Sequence, residues 1–340
     1  MFACPLPRSR MVLSNPVPVV ASSTELAAWA RDPTSASRFG ALAERPWLLV
    51  HTSTDDARVC AWLRALPCPV IGVGCASNAA CDATVAALPA AAPLLRTIAH
   101  SPLAAALLVQ VLRAVETLPT ERALLVESLA YATLQGGTEF ARWRATHTPG
   151  RTRDDPGPAV LVSRDEAATL RMTLNRPSRR NAMTVEMRDA LLEALQLALI
   201  DRSIATICID AAGRCFSTGG DLDEFGSAPD PASAHLVRQL ALPGRLLWSC
   251  ADRCVVRVHG ACIGSGIEFP AFASRIEAAS DSWFQLPELR YGLIPGAGGC
   301  VSLSRRIGRQ RTAWMALSGA RIDARTALEW GLVDAIDSRG

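Results

Sequence analysis

A polar stretch at 147–158, His-Thr-Pro-Gly-Arg-Thr-Arg-Asp-Asp-Pro-Gly-Pro, divides this 340-residue chain into two parts of different texture. It has no apolar periodicity and is dense in proline and glycine, so it reads as a linker. Beyond it, short β-rich runs alternate with helical stretches. Ala159–Val162 and Thr169–Asn175 are expected to pair as a hairpin around Arg164-Asp165-Glu166, with a helix over Thr184–Ile200 and a buried strand over Ile204–Asp210. Cys254–Val258 is a further strand that runs into a glycine-rich turn and a helix near Ser265. Strands and helices in alternation, with apolar strands, predict an α/β fold. Before the linker, Trp47–Val50 and Pro69–Val73 are short β runs on either side of a helical Asp55–Leu66. Helices follow. Ser101-Pro102 starts one as N-cap and first residue, with Leu103, Leu107, Leu108, Val111 and Leu112 as its apolar stripe. A second runs from Thr120, with Leu124, Leu125, Leu129 and Leu134 expected inward and Gly136-Gly137 ending it. The chain thus divides into an α/β region at 1–80 with no functional reading, a helical region at 81–147, a linker at 148–158 and a core at 159–340.

Composition excludes several classes. All 35 basic residues are arginine, so Schiff-base lysine, lysine-anchored cofactor and P-loop chemistries are ruled out. A phosphate must be held by arginine, backbone N–H groups or helix ends. The net charge of +3 is too small to imply nucleic acid. No apolar run approaches the roughly 18 residues of a membrane span, so no membrane partner is expected. An arginine pair precedes an apolar patch near the N-terminus, but Pro16 and Pro18 break that patch and argue against a signal peptide, and Met11 is a candidate start. The eleven cysteines include no CxxC and read as buried thiols in a reducing, cytoplasmic compartment. The five histidines, His51, His100, His147, His235 and His259, are scattered, so no metal site is expected.

Three segments carry chemistry. Cys215-Phe216-Ser217-Thr218-Gly219-Gly220-Asp221-Leu222 follows a strand, and its paired glycines let a ligand approach backbone donors; an ordinary turn has the same composition. Val258–Glu268 takes a strand through Gly264-Ser265-Gly266 into a helix, which gathers free N–H groups where a negative charge could develop. It lacks the GxSxG elbow, so Ser265 is a poor nucleophile. Phe284-Gln285-Leu286-Pro287-Glu288 leads into Gly292–Gly299. Glu268 and Glu288 both have apolar neighbours, and burial raises a carboxyl pKa toward the range useful in acid/base work. Alternatively, each glutamate pairs with an arginine such as Arg275 or Arg290.

Taken together, these segments resemble the crotonase (enoyl-CoA hydratase/isomerase) superfamily over 158–337. The resemblance includes Leu174-Asn175-Arg176-Pro177 to Asn181-Ala182, Leu286-Pro287-Glu288, Ile294–Gly299 and the late run Leu317-Ser318-Gly319 to Ala327–Asp334. It implies a ββα spiral core and an acyl-CoA thioester substrate, with coenzyme A part of the substrate and no separate cofactor. It implies Glu268 and Glu288 as the catalytic acids and the N–H groups of Gly220 and Ser265 as the oxyanion hole. Arg180, Ala182, Gly220, Asp221, Leu222, Asp223 and Gly296 would contact CoA or substrate, and the assembly would be a homotrimer or a dimer of trimers. Ser265 stands where the family usually has glycine, and Arg275 where many members are acidic.

Hydration of the 2,3 double bond is the leading activity, because both glutamate positions are filled. The alternatives are a Δ3-Δ2 isomerase using Glu288 alone, or a non-catalytic acyl-CoA-binding subunit. The resemblance also implies about two to three helices beyond Gly340. Residues 81–147 are expected to supply them by permutation; the alternative is a shortened chain with an unrelated N-terminal helical domain.

Overall fold

The computed structural model describes residues 18–150 and 155–337. The arginine pair and Met11 near the N-terminus, and residues 151–154 of the linker, lie outside the described residues. The N-terminal unit runs β1 (Val20–Ala21), α1 (Ser23–Arg31), β2 (Leu48–His51), α2 (Ala57–Ala65), β3 (Val70–Val73), β4 (Ala83–Val85). Its four strands pair in parallel in the order β1-β2-β3-β4. Side chains alternate across a strand, so Leu48, Val50 and Val70 join Leu26 and Leu63 in a small core. Leu49 and Ile71 point the other way, into the main core. Covering both faces requires nearly continuous apolar strands, which is what made these short runs legible.

Four helices follow: α3 (Ala92–His100), α4 (Pro102–Val115), α5 (Thr120–Gln135) and α6 (Thr138–Thr146). Two expectations are corrected here. Ser101 occupies the N-cap position of α4, but its hydroxyl donates to the Leu289 carbonyl at 2.6 Å instead of capping. The cap comes from Glu139 of α6, which accepts from the N–H groups of Leu103 and Ala104 at 2.8 and 3.0 Å. On α5, Leu129 is 49% exposed, and the inward register belongs to Ala123, Leu124, Glu127, Ser128 and Tyr131. The apolar pattern misplaced that face because a carboxylate, drawn in by backbone donors, occupies its centre.

The core contains β5 (Val160–Arg164), β6 (Thr169–Leu174), α7 (Val185–Ile200), β7 (Thr206–Ala211), α8 (Pro231–Leu240), α9 (Pro243–Ser249) and β8 (Cys254–Val258). Then come β9 (Ala261–Ile263), α10 (Ser265–Glu268), β10 (Arg275–Ala279), β11 (Trp283–Gln285), α11 (Gly299–Ile307), α12 (Arg309–Ser318), β12 (Ile322–Asp323), α13 (Ala324–Trp330) and β13 (Ala335–Asp337). The large sheet has the order β13-β10-β8-β7-β6-β5, parallel except for the expected β5–β6 hairpin. A small sheet, β12-β11-β9, takes the strand that follows β8 and the strand that follows β10. The chain therefore passes twice from the large sheet to the small one, and each passage turns the backbone toward one place. Glu268 follows the first passage and Glu288 the second. No single helix among the described residues is long and apolar enough to cross a membrane.

Candidate active site

The turn at 217–221 is built from the Asn175–Ala182 segment. Arg180 and Asn181 both adopt left-handed backbone, with φ of 54° and 51°, which asparagine tolerates because its side chain bonds locally. The buried Asn181 amide accepts from the Arg176 N–H and donates to the Ala212 and Cys215 carbonyls. The Ser217 hydroxyl donates to the Asn181 carbonyl at 2.7 Å, and Arg179 pairs with the buried Asp221. The Met183 N–H bonds the Gly219 carbonyl, and the Asp221 N–H bonds the Met183 carbonyl. That pattern leaves the Gly220 N–H without an acceptor among the described residues.

Ser265 opens α10 after Gly264, whose φ is +51°. Ser265 itself has ordinary helical backbone and is not among the positive-φ residues, so its Cβ is accommodated. Its N–H has no acceptor among the described residues, as expected of a first helical residue, and its buried hydroxyl is unpaired there as well. α10 is only four residues long. The direct N–H donor therefore matters more than the helix dipole.

Glu268 ends α10 and is 2% exposed. One of its oxygens accepts from the N–H groups of Ala297 and Gly299 at 2.7 and 3.0 Å. Burial raises its pKa to about 7, opposed by these loop N–H bonds. Glu288, on the 3₁₀ turn Glu288–Tyr291, is 8% exposed, and its Oε2 has no partner among the described residues. Burial, then the charge of Glu268, pushes its carboxyl well above the usual range. Among the described residues neither glutamate pairs with arginine: Arg275 bonds Glu277 instead. A Cβ on Gly264 would sit 2.6 Å from one oxygen of Glu288 and 3.7 Å from one of Glu268, so the two carboxyls converge on this glycine.

A further buried glutamate, from α5, was missed by the sequence reading. Glu127 is 2% exposed and accepts from the N–H groups of Gly298 and Cys300 at 2.7 and 2.8 Å. Burial, reinforced by Glu268, raises its pKa to about 8. The loop 295–300 is thus threaded between two carboxylates, with its successive N–H groups directed alternately to Glu268 and Glu127. Sequence offered only a Glu inside an apolar helix, for which an outward face is the ordinary expectation.

A cavity of about 490 Å³ joins Gly220, Asp221, Ser265, Glu268, Glu288 and Gly296 on one wall. Arg180, Ala182, Leu222 and Asp223 lie beside this wall and do not line it. Arg180 and Asp223 are exposed, and Asp223 bonds His147 at 2.7 Å and the Gly150 N–H at 3.0 Å. Tyr131 covers Gly296 so closely that a Cβ there would collide with its ring.

Two buried carboxyls of raised pKa, facing one cavity beside two N–H groups without acceptors, define a site for acid/base chemistry at a centre that develops negative charge. The enoyl-CoA hydratase/isomerase family model matches residues 164–340. The 2,3-dehydroadipyl-CoA hydratase of Escherichia coli (strain K12) is 32% identical over 181 residues, covering 52% of this chain and 68% of that protein. The 1,2-epoxyphenylacetyl-CoA isomerase of the same strain is 34% identical over 185 residues, covering 51% and 68%. Among solved structures, the enoyl-CoA hydratase from Thermoplasma volcanium GSS1 aligns over 53% of this chain and 72% of its own, at 30% identity and a TM-score of 0.48. The chain belongs to the enoyl-CoA hydratase/isomerase family, and its α/β core is the crotonase fold.

Proposed function

We propose that the protein is an enoyl-CoA hydratase. The observation that carries this reading is the pairing of Glu268 and Glu288 in one cavity with different environments. Glu268 accepts two amide N–H bonds, which favour its charged form, whereas Glu288 has an unpartnered oxygen and lies beside that charge. Near neutral pH the pair therefore holds one carboxylate and one carboxylic acid, and it titrates as a unit.

In the reaction, the thioester oxygen lies between the N–H groups of Gly220 and Ser265. Glu268 takes a proton from water as its oxygen bonds to C3, the π electrons move toward the thioester oxygen, and Glu288 delivers its proton to C2. The two N–H donors stabilise the enolate-like species between these steps. Loss of one such donor typically costs about 3–4 kcal/mol. The substrate is an acyl-CoA thioester, and an all-arginine cation set is expected to hold its phosphates.

We also infer that the helical region 81–147 takes the part of the helices that close this fold at its C-terminus in other members, supplied here from the N-terminal side. Support comes from Glu127, which bonds the loop under Glu268, and from Tyr131, which lines the cavity.

The test is hydration of a short 2-enoyl-CoA, followed by loss of the conjugated thioester absorbance. Turnover that collapses in both Glu268→Gln and Glu288→Gln supports the hydratase. Turnover of a 3-enoyl-CoA that depends on Glu288 alone would favour the isomerase, and CoA-thioester binding without turnover would favour a binding subunit.

A further inference from the structure

The cavity that holds the two glutamates continues away from them between α5 and α8, where Tyr131, Gln135 and Arg238 line it. Arg238 is half-buried, and among the described residues no carboxylate lies within ion-pair distance of it. Its guanidinium is held by neutral oxygens. Nε donates to Ser128 Oγ at 3.3 Å, Nη1 to Gln135 Oε1 at 3.0 Å and Nη2 to the Ser128 carbonyl at 3.4 Å. Its flat face lies 4.4 Å from the centre of the Tyr131 ring. These bonds use three of the five N–H donors a guanidinium carries.

A buried charge is normally paired, and the exceptions deserve a reason. Arg188, the other arginine on this wall, is paired with Asp189. Glu127 lies on the same helix as Ser128, yet both of its oxygens are taken by the loop N–H groups of Gly298 and Cys300. Burial accordingly lowers the Arg238 pKa from its ordinary value. The guanidinium is rigidly placed, since Tyr131 stacks against it and three oxygens orient it. A planar fork so oriented suits a carboxylate.

We propose that Arg238 recognises an acyl chain ending in a carboxylate, so that the preferred substrate is the CoA thioester of an unsaturated dicarboxylic acid. The thioester end would lie at Gly220 and Ser265 and the far carboxylate at Arg238, with C2 and C3 between the glutamates. This rests on the hydratase reading for its reaction, though not for its binding step.

The experiment compares trans-2-hexenedioyl-CoA with trans-2-hexenoyl-CoA, which differ only at the far end of the chain. Rates are measured with the full chain, Arg238→Gln and Arg238→Lys. In parallel, affinities for saturated adipoyl-CoA and hexanoyl-CoA are measured, which needs no turnover. The wild-type protein is expected to favour the carboxylate-bearing member of each pair. Arg238→Gln should weaken use of the hexenedioyl substrate by about 10- to 100-fold, the range of a charge-assisted hydrogen bond, chiefly in KM. It should leave the hexenoyl substrate little changed, and Arg238→Lys should recover part of the preference. Equal treatment of the two chains by the wild type overturns the proposal, whether or not a variant folds. So does an equal loss on both substrates in Arg238→Gln. A binding preference without turnover of either substrate would sink the hydratase reading and leave carboxylate recognition standing.

Discussion

At Glu268, burial raises the pKa to about 7 while the N–H groups of Ala297 and Gly299 oppose it. A base must be ionised to act, so kcat/KM for hydration should fall as pH drops below about 7, well above the acid limb of an ordinary carboxylate. The alkaline limb should follow loss of the Glu288 proton, since burial and the Glu268 charge push that carboxyl well above its usual range. A rate that stays flat from pH 5 to 8 would exclude Glu268 as the base. Replacing either residue by Gln should lower kcat by about 10²- to 10⁴-fold. The same shift bears on stability with a definite sign. A carboxyl raised on folding contributes stability at low pH and loses it as pH rises through the folded value. Denaturant titrations should therefore show wild type losing ground to Glu268→Gln between about pH 4.5 and 7. Ser265 offers a separate test. Its hydroxyl is unpaired among the described residues and its N–H is the proposed donor, so Ser265→Ala should leave kcat nearly intact. Ser265→Pro keeps a residue suited to a first helical position but deletes the N–H, and kcat should drop by about 10²- to 10³-fold. If Ala and Pro behave alike, the donor role is wrong.

The loop 295–300 and helix α5 form the element on which the site depends most. Ala297 and Gly299 donate to Glu268, and Gly298 and Cys300 donate to Glu127. Glu127→Gln would turn an NH₂ toward one of its two N–H partners, leaving that buried donor unsatisfied at a cost of about 1–3 kcal/mol. Lower thermal stability together with a reduced kcat is expected, because the displaced loop also supplies the donors of Glu268. A variant with unchanged melting and unchanged rate would show that the loop holds itself. The loop was visible in the sequence as a Gly/Pro run beside Glu288, yet its second anchor was not. Glu127 lies 171 residues from Gly298, and nothing local to either signals the other.

The whole molecule is joined by a buried charge cluster. Asp82, fully buried on the N-terminal unit, bonds Arg113 of α4, Arg309 of α12 and the Val70 N–H. Arg309 also donates to the Ala79 and Cys81 carbonyls. Three regions distant in sequence thus share one carboxylate, so removing it leaves Arg113 with no carboxylate partner among the described residues and Arg309 with only Glu116 at 3.5 Å. Asp82→Ala should cost about 3–5 kcal/mol, the range for breaking a buried ion pair from one side. Calorimetry should show a lower melting temperature for the entire protein. A selective early transition confined to the N-terminal unit would show that the cluster does not couple the regions.

Elements with strong local signals were legible from the sequence. These include the 169–175 strand, the 184–200 helix, the run from Cys254 into Ser265, and the two glutamates set among apolar neighbours at the ends of strand-turn segments. Period, turn chemistry and family spacing are short-range properties, and they determine the α/β core and mark Glu268 and Glu288 as candidates. Tertiary structure alone decided the rest. It turned Glu127 inward and Leu129 outward, moved the cap of α4 from Ser101 to Glu139, and brought Arg238 into the cavity of the two acids. Each of these is the outcome of a competition for buried hydrogen-bond partners that lie far away along the chain. Such a competition is resolved only when the elements pack, because a polar group's cost of burial depends on what it finds there.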